Sequence, residues 1–144
     1  MAPFIALVAS FILFRGMGWL GVSAFDGWHP ALQAAVAVMF LLTASAHWGK
    51  RRADLIRMVP DAFPKPGLLV SLTGWLEIAG AIGIVIPYTS AAASLGLAIL
   101  LVVMFPANVR AAREKLTIGG KPTPPLGIRI ALQAVFIAAV LLAG

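Results

Sequence analysis

Five long apolar runs, Ala2 to Val22, Ala31 to Trp48, Gly67 to Ile86, Ala91 to Phe105 and Leu126 to Leu142, leave this 144-residue chain few ways to fold. A membrane-spanning helix takes about 20 apolar residues, so each run has membrane scale, the fourth being the shortest. Hydrophobic residues make up 61% of the chain and charged residues 11%, with a mean hydropathy of +0.99. That leaves too little polar surface to cover a water-soluble globule. The residues between runs suffice only for short connections. The sequence therefore predicts an all-α, polytopic transmembrane helix bundle, one unit over residues 1–144, with spans at 2–22, 31–48, 67–86, 91–105 and 126–142.

Prolines punctuate the runs. Pro30, Pro66 and Pro125 suit first helical positions, and Pro87 closes the third run ahead of a tight Pro87–Ser90 connection. Pro106 differs, because Ala107 to Lys115 reads as further helix, so a kink is expected there. Segment 49–66 sets Leu55, Ile56, Met58, Val59 and Phe63 among charged residues and ends in Pro60, Pro64 and Pro66, which predicts a short interfacial helix closed by a rigid turn.

The net charge of +6 resembles a nucleic-acid signature until the charges are placed. Gly49 to Lys65 holds Lys50, Arg51, Arg52, Arg57 and Lys65; Ala107 to Arg129 holds Arg110, Arg113, Lys115, Lys121 and Arg129. The connections 23–30 and 87–90 hold none. Basic residues on alternate connections follow the positive-inside pattern, giving a cytoplasmic N-terminus and an external C-terminus. The partner is then a lipid bilayer and not a nucleic acid. Val22-Ser23-Ala24 resembles a signal cleavage site, but no Lys or Arg precedes the run and Arg15 interrupts it, so a retained helix is expected.

Arg15, the eleventh cation, and Glu77 lie inside apolar runs, where an unpaired charge costs on the order of 3 kcal/mol. At 1.5 Å per residue their depths differ by about 4 Å, a gap an arginine spans, so an Arg15–Glu77 ion pair or a shared polar cavity is expected. Thr73, Gly74, Gly80, Ala81 and Ile84 share the helical face of Glu77, which suits close helix contact. Gln133 falls at a similar depth. Either these groups bind a ligand or proton, or they are connectors between helices. His47 ends the second run beside Trp48; His29 stands about 27 Å away at its other end, so the two cannot ligate one metal. Neither haem nor metal is expected. Trp19, Trp28, Trp48 and Tyr88 fall at span boundaries, as an aromatic belt does, while Trp75 is deeper. Gly16, Gly18, Gly21, Ala92 and Gly96 read as helix-packing positions.

There is no cysteine, hence no thiolate nucleophile, disulfide or iron–sulfur ligation. No phosphate-cradling loop, nucleophile elbow or HExxH pattern occurs either, so an autonomous enzyme is not indicated.

Ala46-His47-Trp48, Met58-Val59-Pro60 with Phe63-Pro64-Lys65-Pro66, Thr73-Gly74-Trp75-Leu76-Glu77 running through Gly80 and Gly83 to Pro87, and Phe105-Pro106-Ala107-Asn108-Val109 together resemble the DoxX-like membrane proteins. The resemblance runs from about Ala35 onward. It implies a four-helix membrane core formed by the second to fifth runs, with the first run as an N-terminal addition. The family's His–aromatic pair falls on His47 and Trp48, with Trp in place of the usual Phe, and its helix glutamate falls on Glu77. Ile130-Ala131-Leu132-Gln133 lacks the proline often found before Leu-Gln.

By that resemblance, the chain is expected to be a subunit or accessory of a membrane redox system, binding a quinone-like or other lipophilic molecule through candidates Glu77, Arg15, His47, Thr73, Trp75 and Gln133. A redox protein or a second copy of the chain would be the partner. The alternatives are a non-catalytic assembly or interaction protein, and a proton-coupled transporter or membrane isomerase with Glu77 as proton carrier. Five helices give little room for alternating access.

Overall fold

The computed structural model describes residues 2–25, 27–118, 121–122 and 125–144. In order along the chain come α1 (Ala2–Trp19), a single 3₁₀ turn (Ser23–Phe25), α2 (Trp28–Ser45), α3 (Arg52–Met58), α4 (Pro66–Ile84), α5 (Ser90–Arg113) and α6 (Leu126–Ala143). Between α5 and α6 lies a two-residue antiparallel pairing, Thr117 with Pro122 and Ile118 with Lys121. The architecture is all-α, with that small hairpin as an addition the apolar pattern does not announce.

Helix boundaries follow the prolines with informative shifts. Pro66 opens α4, as its fixed φ and missing N–H favour. Pro30 instead lies third in α2, which begins at Trp28. The first-turn amides have no intrahelical acceptor, so a proline is tolerated anywhere in that turn. Pro125 is the cap residue before α6 rather than its first helical residue. α5 continues as helix through Pro106 for 24 residues, well past the apolar run that marks it. The segment 49–66 contains α3, seven residues long, with Met58 buried. α1 ends where Gly21 takes φ +106°, with Val22 N–H donating to Met17 O (3.0 Å) and Gly21 N–H to Gly18 O (3.2 Å). This closes the helix in the Schellman manner, so Gly21 is a helix terminator and not the packing position expected from sequence.

α2, α4, α5 and α6 form a closed ring, each packed on its neighbours and α6 returning to α2, while α1 packs outside on α2. The core joins Val36, Met39 and Phe40 of α2 to Ala81 and Ile84 of α4, Leu97 and Leu100 of α5, and Val140 and Ala143 of α6. On α4 the buried residues Val70, Gly74, Glu77, Ala81 and Ile84 make one stripe at alternating spacings of four and three. The outward faces carry Leu72, Leu76, Ile82, Leu95, Ile99, Val102 and Leu142, all exposed. A surface of this kind is stable against acyl chains and not against water.

Four helices, α2, α4, α5 and α6, are long and apolar enough to cross a membrane. In α1 the apolar stretch Pro3–Trp19 is shorter. The chain is thus built as a membrane protein whose four-helix ring contains every span of full length among the described residues.

Polar side chains tie the ring together at both ends. Where α6 finishes, Gln33 Nε2 donates to Ala143 O (2.9 Å), Ser94 Oγ to Val140 O (2.8 Å) and His29 Nε2 to Gly144 O (3.0 Å). These bonds satisfy terminal carbonyls that no intrahelical amide can reach. At the opposite end, Arg129 donates to Asn108 Oδ1 (2.9 Å), linking α6 to α5. Arg110 donates to the Val59 carbonyl and to Asp61 Oδ1 (3.1 Å), linking α5 to the turn after α3.

Candidate functional site

Glu77 sits midway along α4 on its buried stripe, with only 3% of its surface exposed. The group beside it is His47, 4% exposed, in the turn just beyond α2. His47 Nδ1 lies 3.6 Å from Glu77 Oε2, too far for a hydrogen bond. Oε2 has no hydrogen-bond partner among the described residues. Buried polar atoms are nearly always bonded, so an orphaned carboxylate oxygen marks a place where a further group is accommodated or where stability is forgone.

The imidazole is held from two directions. Nδ1 lies 2.9 Å from the Thr43 carbonyl; a carbonyl only accepts, so Nδ1 carries the proton and donates. The His47 carbonyl in turn accepts from Arg52 Nη1 at 2.8 Å. Arg52 Nη2 continues to Gly67 O (2.8 Å) and Ser71 Oγ (3.0 Å), so one planar guanidinium fastens the turn after α2 to the first turns of α4. His47 lies outside the helical span of α2. Its burial pushes the imidazole below the ordinary range, partly opposed by hydrogen bonds to the Thr43 and Ala44 backbone, while the Arg52 charge pushes further down.

Gly74 makes this approach feasible. A Cβ there would lie 2.7 Å from Trp48 Cη2 and 3.0 Å from His47 Cβ, so a larger residue forces Trp48 and His47 to shift. Trp48 then packs edge-on against Trp75, ring centroids 5.2 Å apart. Both indoles stand at the lipid-facing rim of the site, Trp48 41% and Trp75 63% exposed. The Thr43 hydroxyl lies beside the Glu77 carboxyl and donates to Phe40 O at 3.0 Å.

The expected Arg15–Glu77 pair does not form. Arg15 Nη1 donates to the Phe25 carbonyl (3.4 Å), and its guanidinium lies over the Trp19 ring, 4.8 Å from the centroid. The physical reason is the packing order: α1 lies on the outside of α2, whereas the Glu77 stripe faces into the ring. Two further candidates also fall elsewhere. Thr73 donates to Val70 O within its own helix (3.1 Å), and Gln133 Nε2 donates across to Leu101 O of α5 (2.8 Å), one turn before Pro106. Trp75 reaches the site only through Trp48. Of the six candidates, the structure brings together Glu77 and His47.

Sequence reasoning passed over Thr43 and Arg52 as site residues. The spacing of Thr43 and His47, four apart at a helix end, was the available signal for the first; Arg52 was hidden in a basic run. Gly96, expected to pack helices, has nothing within 4 Å of a Cβ placed on it. It opens instead onto an apolar groove of about 610 Å³ between α4 and α5 that Glu77 does not line. Among the described residues no cluster of three His, Asp or Glu side chains is placed to hold a metal ion.

Residues 36–143 match the family described as Domain of unknown function (DUF8561). No curated protein and no solved structure matches the chain. The matched segment runs from the middle of α2 to the end of α6; it contains the whole Glu77–His47 site and excludes α1. With most of its length covered in this way, the chain belongs to the DUF8561 family.

Proposed function

We propose that this chain is a DoxX-like subunit or accessory of a membrane redox system, in which Glu77 and His47 receive the polar head of a quinone-like lipophile. The single observation behind the reading is the orphaned Oε2 of Glu77, buried beside an imidazole and paired with no cation among the described residues. An acceptor left unsatisfied costs about 1–3 kcal/mol, and a quinol hydroxyl donating to it would recover that cost. The planar head would rest against the Trp48 and Trp75 rings, whose faces suit aromatic stacking. Electrons would pass to or from a partner protein, while Glu77 and His47 hold the hydrogen-bonding head in place.

On this reading α1 is a fifth span, and the chain lies in a bacterial cytoplasmic membrane with its N-terminus inside and C-terminus outside, as the alternation of basic connections suggests. Solvent extraction of the purified protein tests the function: a bound lipophile with a quinone absorbance is expected, and Glu77→Gln, still folded, should lose it.

A second reading makes Glu77 and His47 a connector between α2 and α4 without chemistry. The tight seating of His47 and Trp48 on Gly74 favours it. Loss of folding in Glu77→Gln would decide for the connector.

A further inference from the structure

We propose that the end of the bundle carrying α3 binds anionic phospholipid headgroups through Lys50, Arg51, Lys65, Arg113 and Lys115. This does not rest on the reading of Glu77 and holds for either orientation in the bilayer.

The argument begins with which charges are already taken. Three acidic side chains lie at this end. Asp54 pairs with Arg57, and Asp61 and Glu114 both pair with Arg110. Arg52 is occupied by three acceptors and Arg129 by Asn108. That leaves Lys50, Arg51, Lys65, Arg113 and Lys115, all exposed, whose side chains make no hydrogen bond or ion pair among the described residues.

Topology gathers them. Lys50 and Arg51 precede α3, Lys65 caps α4, Arg113 ends α5 and Lys115 follows the α5 cap. α3 packs on both α4 and α5, and Arg110 fastens the end of α5 to the turn after α3. The segments that carry the cations are therefore gathered at one end of the bundle, around α3. Lys65 and Lys115 both hold φ 51°, a left-handed conformation that glycine or asparagine adopts more easily. A long cation stands at both.

Two features select a lipid surface over a soluble polyanion. Phe63 and Leu68 are exposed within three residues of Lys65, giving apolar groups close to a cation, as in interfacial segments. The segments that carry the cations also adjoin the ends of the apolar helices α4 and α5, so the phosphate groups of a bilayer around those helices would lie near them.

The test equilibrates the full chain in mixed micelles of equal phosphatidylglycerol and phosphatidylcholine, recovers it by gel filtration and quantifies bound lipid. Phosphatidylglycerol should exceed phosphatidylcholine by about fivefold or more, and the excess should fall toward parity in 1 M salt, where screening is short-ranged. Combined Lys50→Gln, Arg51→Gln, Lys65→Gln, Arg113→Gln and Lys115→Gln should abolish it with helicity unchanged. Should that variant misfold, Lys50→Gln/Arg51→Gln together with the salt series on the unaltered chain carries the test. Equal retention of the two lipids, or an excess that ignores salt or the substitutions, overturns the proposal. So does an excess stripped by millimolar glycerol phosphate, which would mark a site for small soluble anions.

Discussion

His47 Nδ1 stands 3.6 Å from Glu77 Oε2, and that imidazole donates to the Thr43 carbonyl rather than to the carboxylate. The two residues lie 30 positions apart in sequence and meet because Gly74 lets the turn after α2 settle on α4. Among the described residues, neither oxygen of the carboxyl is paired with an arginine or lysine.

The place of Arg15 gives the first prediction. Its guanidinium serves α1 and the turn after it, through Phe25 and Trp19. Arg15→Gln should cost about 1 kcal/mol or less and leave the lipophile content of the purified protein unchanged. Loss of bound lipophile in this variant would restore the link between Arg15 and Glu77 that the packing order denies.

Two glycines in apolar helices should respond oppositely to the same substitution. Gly74→Ala forces a methyl into Trp48 and His47 and should destabilise by about 1–3 kcal/mol. Gly96→Ala meets open space and should be neutral or stabilise by up to about 1 kcal/mol. Thermal melting in one detergent, followed by loss of helicity, compares them.

Arg52 joins three acceptors on two segments. Arg52→Gln should cost about 1–3 kcal/mol and expose the 49–66 segment to trypsin. Arg52→Lys should not rescue it, because a single ammonium does not reproduce the planar fork. Resistance to trypsin in both variants would show that α3 is held by packing alone.

The lowered imidazole range of His47 fixes the sign of a pH effect. The unfolded histidine binds its proton at a higher pH than the folded one does. Stability from the neutral ring is therefore complete above the ordinary imidazole range and is lost as pH falls through and below it. His47→Gln should flatten this acid-side fall in melting temperature. An unchanged slope would place its origin elsewhere.

Much of the ring was legible because apolar runs, prolines and basic connections report on the same boundaries. Glu77, too dear to bury without reason, was legible as well. Its partner was not. Treating all spans as sharing common end planes places His47 at a membrane face and Glu77 near the centre. In the structure His47 packs at Gly74, eight residues or about 12 Å inside the start of α4. α3 packs on α4, and Arg52 ties the turn after α2 to the first turns of α4, a placement no sequence pattern announces. Arg15 misled for a related reason: depth can be counted along a helix, but which neighbour lies on which side cannot.

Quenching of tryptophan fluorescence by a short-chain quinol, titrated under reducing conditions into the protein in nanodiscs, tests the central claim most directly, since Trp48 stands beside His47 and Trp75 packs on Trp48. A saturable quench is predicted, weakened about tenfold in Glu77→Gln, as loss of roughly 1.4 kcal/mol of binding would give. A quench that rises without saturation and is the same in both proteins would contradict the account.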